Sequence, residues 1–379
     1  MNGQSIKDLV ESEGMRPVAL KLQDLLDKGE VQPSDFSIKE MWEAFCGPVG
    51  STLSYGMGRP GFQGVEPLAE ASVGSSAFAG IMGQVLTAEA FTAYTRPGDI
   101  GGMLFRTRPS RRKVERKPGF ILQDDTAEVD EGMPYPESGM RDRFVSYESG
   151  KKRGIILAIT EEAVFLDETG VLLDRAMAIG DFIRQDKETR LLNVFTGTTN
   201  SYYPEGVATT IYSSGNGNLT TTNALVDWTD INLCMADMAA QTDPNGTLIV
   251  VVPRVLVVPF ALLATAHRIV NATSIEQGAI SATVPVGHVP NPAFLRAITR
   301  GGSLDIVTSP LVDSYSATAW YIGDPQRGFL YREHWPFQSF RKRAESEDAF
   351  NKDVITKFKF REWGTAHCDD HRFTYKNTA

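Results

Sequence analysis

The stretch Gly170–Phe195, GVLLDRAMAIGDFIRQDKETRLLNVF, carries the strongest helical pattern in the chain. Leu172, Ala176, Ile179 and Ile183 recur at i, i+4, i+7 and i+11, which a 3.6-residue period gathers onto one stripe. Asp186 and Arg190 form an acid-first i, i+4 pair on another face. At this length the helix would span roughly 39 Å, enough to serve as the spine of a domain. A strand-like run, GIILAIT (Gly154–Thr160), comes before it.

Upstream, Leu104–Gly154 reads as a long, charged, turn-rich excursion. Its first part, RTRPSRRKVERKPG, holds seven basic residues (Arg106, Arg108, Arg111, Arg112, Lys113, Arg116 and Lys117) and a single Glu. Between Pro118 and Met140 there is no Lys or Arg, whereas Asp124, Asp125, Glu128, Asp130, Glu131 and Glu137 all fall there. A nucleic-acid patch does not normally bring its own neutralising strip. Two opposed blocks on one protruding loop suit a contact in which the positive half of one copy meets negative surface on another. The competing reading is a solvated hairpin whose charges pair only within itself.

Earlier in the chain, Leu20, Leu22, Leu25 and Leu26 suggest an apolar helix face, and Ser5 stands before another helical stretch. Ser37 with Glu40 has capping-box spacing before MWEAF. Gly47–Gly102 is rich in Gly, Pro and Ser and reads as an extended arm with one short helix near Ala77–Leu86. After the spine, a loop-like segment leads to a helix in DWTDINLCMADMAAQ with Ile231, Met235 and Met238 inward. A turn at Asp243–Gly246 and a buried strand in TLIVVVP follow, and then a further helix, describing an α/β lobe up to about Asp324. In KFKFREW, Phe358 and Phe360 alternate with Lys357, Lys359 and Arg361, as in a half-buried strand with a basic outer face.

A chain of 379 residues with 42% hydrophobic and 22% charged residues can build two or three soluble lobes. A pI near 5.2 and a formal charge of −9 argue against a surface that coats nucleic acid. Cys46, Cys234 and Cys368 are too few and too scattered for a disulfide framework, and fit a reducing origin. The start, MNGQSIKDLVESEG, lacks the basic and apolar regions of a secretory signal. The greasiest run, Thr247–Ala266, is interrupted by Pro253, Arg254 and Pro259, so no membrane span is expected.

Motifs for chemistry are weak. Gly56, Gly58 and Gly61 match G-x-G-x-x-G, but Pro60 and the following FQGVEP cannot open the helix such a fingerprint requires. AHCDDH offers His367, Cys368, Asp369, Asp370 and His371 as ligands, yet neighbours on a strand point to opposite faces. A polar turn between two strands is the plainer reading of it. No catalytic residue, metal ligand or cofactor is assigned.

The order of parts is the informative feature. EGMPYPESGMRDRFVSYESGKKRGIILAITEEAVF, then TGVLLDRAMAIGDFIRQDKETRLLNVFTG, then NALVDWTDINLCMADMAAQTDPNGTLIVVVPRVLVVPFALLATA follow in sequence. TAWYIGDPQRGFLYREHWPF and DVITKFKFREWGTAH close the series. This series resembles the major capsid proteins of tailed bacteriophages, with the Hong Kong 97-type fold. The resemblance implies an α+β chain with an N-terminal arm and lead-in (1–103), an extended loop (104–154), a peripheral domain with the spine helix (155–200), an axial domain (201–324) and closing peripheral strands (325–379).

It also implies a structural subunit and no enzyme. Such a subunit self-assembles in host cytoplasm into the hexamers and pentamers of an icosahedral shell, which becomes the virion capsid. It would enclose DNA without sequence-specific binding, touch no membrane, and meet scaffolding, portal and decoration proteins. The extended loop would then contact a neighbour through Arg106, Arg108, Arg111, Arg112, Lys113, Arg116 and Lys117 and through Asp124, Asp125, Glu128, Asp130 and Glu131. Some members of the family crosslink a loop lysine to a neighbour; Lys113 and Lys117 lie in that region, but neither the acceptor nor the catalytic acid is matched here. Two alternatives stand beside this reading: an encapsulin-like bacterial compartment shell, and a soluble metal-dependent enzyme using His367, Cys368 and His371.

Overall fold

The computed structural model describes residues 13, 15–28, 37–46, 68–122, 129, 131, 140–166, 169–243, 246–271, 274–277, 287–290, 304–343 and 353–379. The first half of the chain contributes α1 (Met15–Asp27), α2 (Ile38–Cys46), α3 (Leu68–Tyr94), α4 (Gly101–Leu104), β1 (Arg106–Pro109), β2 (Glu115–Leu122), β3 (Met140–Tyr147), β4 (Lys152–Thr160), α5 (Glu161–Phe165) and α6 (Thr169–Phe195). Next come β5 (Leu219–Thr220), α7 (Trp228–Ala239), β6 (Val255–Val257), α8 (Phe260–Asn271), β7 (Ser274–Gln277), β8 (Gly287–Pro290), β9 (Asp305–Val307) and α9 (Pro310–Tyr315). The chain closes with β10 (Trp320–Gly323), α10 (Pro325–Gly328), β11 (Phe329–Arg343), β12 (Val354–Cys368) and β13 (Thr374–Asn377). These elements fall into two compact units, and α6, β11 and β12 each begin in one and end in the other.

The first unit comprises Met1–Pro97, Lys152–Asp186 and Trp335–Trp363. Leu172, Ala176, Ile179 and Ile183 of α6 are all buried, as the sequence stripe predicts. They pack in one core with Phe78, Ile81, Met82, Val85 and Leu86 of α3 and with Phe358 and Phe360 of β12. Helices α3 and α6 meet at Gly180, where an added Cβ would collide with the Ala90 carbonyl oxygen and sit 3.0 Å from the Ala93 Cβ. Glycine is required there because the two backbones approach too closely for any side chain. Burial along β12 alternates as expected for KFKFREW, and β12 runs antiparallel to β4 with Phe358 opposite Leu157. Ser37 caps α2 by accepting from the Glu40 amide at 3.2 Å.

Two sequence expectations need correction in this unit. The Gly- and Ser-rich stretch is not an arm with a short helix near Ala77–Leu86: it contains α3, a helix of 27 residues. Its glycines and serines weaken a helix in isolation, but packing in the core overrides that propensity. Residues 47–67 of that stretch, with Gly56, Gly58 and Gly61, lie outside the described residues, as does the helical stretch after Ser5. In α1 the buried face is Val18, Ala19 and Leu22, while Leu20 is exposed, so the apolar face is rotated from the one expected.

The second unit comprises Gly98–Lys151, Lys187–His334 and Gly364–Ala379. Its sheet has the order β5-β13-β10-β6-β9, and β10 is buried throughout. Alternation sends Val255, Val257 and Tyr321 to one core with Leu191, Leu192 and Phe195 of α6. Leu256, Trp320 and Ile322 point to the opposite core, with Ile231, Cys234 and Met238 of α7 and Ala266 and Ile269 of α8. A sheet covered on both faces explains why these strands read as continuous apolar runs. Asp227 starts α7 with a capping box, accepting from the Thr229 amide at 2.7 Å while Asp230 accepts from the Asp227 amide at 2.9 Å. Among the described residues, no helix is long and apolar enough to cross a membrane.

In this lobe the run TLIVVVP is not the buried strand that its composition suggests. The sheet strand is β6, beyond Pro253, while Leu248 and Val250 are exposed. Helix α7 buries Ile231, Cys234 and Met238, with Met235 only partly covered, so Cys234 takes the inward place expected for Met235.

Candidate functional site

The charged excursion begins as a strand of the second unit. β1 runs parallel to β11, from Arg106 opposite Leu330 to Pro109 opposite Glu333. The chain then turns into the antiparallel hairpin of β2 and β3, with Glu115 opposite Tyr147 and Leu122 opposite Met140. The root of this hairpin is tied together by Arg332 of β11, which is fully buried. Its Nη2 donates to the Ser110 hydroxyl at 2.8 Å and to the Arg112 carbonyl at 2.7 Å; its Nη1 donates to the Tyr147 carbonyl at 3.2 Å. Glu115 stands 3.4 Å from Nη2 and partly compensates the buried charge. A planar guanidinium presents five N–H donors in a fixed fork to such acceptors, where an ammonium has three and no fork. Burial pulls the Arg332 pKa below its ordinary value, against the opposing pull of Glu115.

Asp369 is the second anchor. Its buried carboxylate accepts from the Tyr147 hydroxyl at 2.5 Å and from Lys117 Nζ at 2.5 Å, with Arg106 Nη2 at 3.6 Å. Burial first, and then the adjacent Asp369 charge, push the Tyr147 phenol well above its usual range. His367 donates from Nε2 to the Glu148 carbonyl at 3.1 Å. Burial, aided by the charge of Arg332, lowers its pKa to about 4, so the imidazole is neutral at pH 7.

Beyond these, Arg372 grips Asp370 with Nε and Nη2 at 2.9 and 2.7 Å and reaches Asp243 with Nη1 at 3.0 Å. Burial alone would raise the Asp370 pKa, but the bonds and charge of Arg372 outweigh it and hold the carboxyl below its usual range. A polar groove of about 1220 Å³ opens here, with Lys117, Arg143, Asp243, Asp370 and Arg372 among its walls.

The basic block is therefore divided. Arg106 and Lys117 are turned to Asp369, and Arg116 lies over the Phe144 ring at 4.7 Å. Arg108, Arg111, Arg112 and Lys113 are exposed. Of the acidic half, Glu131 is exposed, and Asp124, Asp125, Glu128 and Asp130 lie outside the described residues.

The AHCDDH cluster disperses: His367 points to Glu148, Cys368 to an apolar core, Asp369 to Lys117, Asp370 to Arg372 and His371 to the Tyr202 hydroxyl at 3.1 Å. It forms a buried strand end and a short turn, not the polar turn that its letters suggest. Among the described residues, no group of three or more His, Cys, Asp or Glu could hold a metal ion. Sequence reasoning missed Arg332, Tyr147 and Asp369 as anchors; the only signal was an Arg directly after the apolar run FLY in GFLYREHW.

The charged hairpin thus stands on a root held by a buried arginine and a buried aspartate. The chain belongs to the phage capsid protein family, whose model matches residues 145–377. Its role is that of a structural subunit of a phage head, placed in the virion capsid.

Several solved structures resemble the chain at low identity. The capsid structure of cyanophage P-SCSP1u is 12% identical, with a TM-score of 0.49 over 75% of this chain and 89% of the other. Mycobacterium phage Bobi is 12% identical, with a TM-score of 0.46 over 75% of this chain and 91% of the other. Gordonia phage Cozz is 10% identical, with a TM-score of 0.46 over 85% of this chain and 98% of the other. No curated protein matches the sequence. The family assignment rests on the family match alone.

Proposed function

We propose that this subunit builds its shell by self-association into hexameric and pentameric rings, with the charged hairpin of one copy lying on the next. In this reading residues 104–154 are the extended loop, 201–324 the axial domain, and 155–200 with 325–379 the peripheral domain. The observation that carries it is the division of the basic block. Arg106 and Lys117, each about half exposed, face Asp369 within the chain, whereas Arg111, Arg112 and Lys113 are exposed beside a backbone that Arg332 holds in place. Pre-ordered charge on a fixed root costs little entropy to bind, which suits an inter-subunit clamp. The net charge of −9 supports enclosure of DNA without tight binding. Assembly would take place in host cytoplasm with scaffolding, portal and decoration proteins as partners.

Negative-stain electron microscopy with light scattering on the full chain tests the reading. Shells, or rings of five or six subunits, are expected. A monomer at all concentrations and salt conditions, with or without its co-expressed phage partners, would overturn it.

A further inference from the structure

The strand KFKFREW presents the basic outer face that its spacing predicts. In the sheet of order β1-β11-β12-β4, Leu157, Ile159, Phe358 and Phe360 turn one face into the core of the first unit. Alternation turns Lys357, Lys359 and Arg361 of β12 to the other face. There Ile156 of β4 stands opposite Lys359, and Lys152 opposite Trp363. Ile156 is 61% exposed, so this face is open within the chain.

Aromatic rings hold the cations in place. Lys152 Nζ lies 4.6 Å from the centre of the Trp335 ring and 5.3 Å from that of Trp363. The Arg361 guanidinium lies 4.1 Å from Trp335 and 4.2 Å from Phe340, and Lys359 Nζ lies 5.3 Å from Phe340. A ring attracts a cation but carries no net charge to cancel it. Across residues 152–160, 335–343 and 354–363 the one carboxylate is Glu362, which is buried. Among the described residues Lys152, Lys359 and Arg361 form no ion pair; Arg361 donates to the Gln338 amide oxygen at 3.4 Å.

The same chain carries a counterpart. β2 and β3, eight residues each, extend roughly 27 Å from the root of the hairpin, and residues 123–139 join them. That stretch holds Asp124, Asp125, Glu128, Asp130, Glu131 and Glu137, and no Lys or Arg.

We propose that this acidic strip of one copy lies on the basic, aromatic face of the next. The contact presupposes the self-association proposed above and identifies the surface that receives the hairpin. Strip and face are different surfaces, so the contact runs head to tail and can close into a ring. A second copy is favoured over other anions because the strip brings no cation of its own and the face no exposed acid. A shell also holds its copies at high effective concentration. Cations already ordered on rings lose little entropy on binding.

Two charge-reversed full chains test this by light scattering and electron microscopy. One carries Lys152→Glu, Lys357→Glu and Lys359→Glu; the other carries Asp124→Lys, Asp125→Lys, Glu128→Lys and Asp130→Lys. Each alone is expected to keep the wild-type circular dichroism and to need about tenfold or more protein to assemble. An equimolar mixture is expected to assemble again, because each face then meets a strip of opposite sign on the other variant. If the reversed face does not fold, Lys152→Gln with Lys359→Gln repeats the test, with a rise of about threefold expected. Variants that assemble like wild type overturn the contact and leave the shell reading intact. Rescue by both sets of changes in one chain, but not by mixing, places the pairing within a copy and overturns the contact between copies. A face variant that is impaired while the strip variant is not, and that loses retention of DNA, assigns the face to nucleic acid and also overturns it. A wild type that never assembles overturns the shell reading, and the contact with it.

Discussion

Arg332 donates to the backbone carbonyl of Arg112 at 2.7 Å, so a fully buried cation on β11 fixes the turn from which the charged hairpin rises. The same guanidinium holds Ser110 and the end of β3 at Tyr147. Two segments distant in sequence, 110–112 and the end of β3, thus depend on one side chain of a third.

Replacing Arg332 by Met should destabilise the second unit by about 3 kcal/mol, because several carbonyls and Glu115 lose their buried partner together. Arg332→Lys should recover only part of this, since an ammonium lacks the planar fork. Urea denaturation of both variants gives the values. A Met variant as stable as wild type would show that the root is held by packing alone.

His367 makes stability depend on pH. Its folded pKa is lowered from 6.5 to about 4, so between those values the unfolded chain binds a proton that the folded chain does not. Its contribution is complete above about pH 6.5 and falls as the pH drops towards 4, by up to roughly 3 kcal/mol. Melting curves from pH 7.5 to 4.5 should show a loss on acidification that His367→Gln reduces. Equal slopes for the two proteins would assign the acid sensitivity elsewhere.

Gly180→Ala should cost about 2 kcal/mol or more, because the new methyl meets the Ala90 carbonyl oxygen where α3 and α6 cross. The effect should appear as a lower denaturation midpoint with an unchanged m-value. Gly102→Ala, where an added Cβ meets nothing within 4 Å, is the control and should change stability little.

Asp369→Asn keeps an acceptor for the Tyr147 hydroxyl but removes the charge that Lys117 and Arg106 face. Both cations are about half exposed, so the loss should be near 1 kcal/mol and should shrink in 1 M salt. A loss that salt leaves untouched would assign the effect to packing.

Reversing Arg111, Arg112 and Lys113 together to Glu should impair assembly and leave the subunit folded, since these side chains are exposed. Circular dichroism and electron microscopy on the same preparation separate the two outcomes. Normal shells would remove these residues from the clamp.

Local periodicity was a reliable guide in α6 and β12, and missed by one residue in α7 and by a rotation of the face in α1. The α6 stripe of Leu172, Ala176, Ile179 and Ile183 and the β12 alternation around Phe358 and Phe360 stand as their spacing predicts. It failed for α3, whose interspersed glycines and serines read as loop although the helix packs in the core and against Gly180 of α6. It also failed for TLIVVVP, because an apolar run reads alike whether both its faces are covered or one is left exposed, as at Leu248 and Val250.

The sequence by itself determined the order of parts, the spine helix and the opposed charge blocks, since these follow from spacing and composition. Only the tertiary structure decided which charges are spent inside the chain. Asp369 lies 252 residues from Lys117, and Arg332 lies 222 from Ser110. Whether a lysine is an anchor or an open contact depends on what the fold brings within about 3 Å of it, and nothing in its neighbouring letters records that.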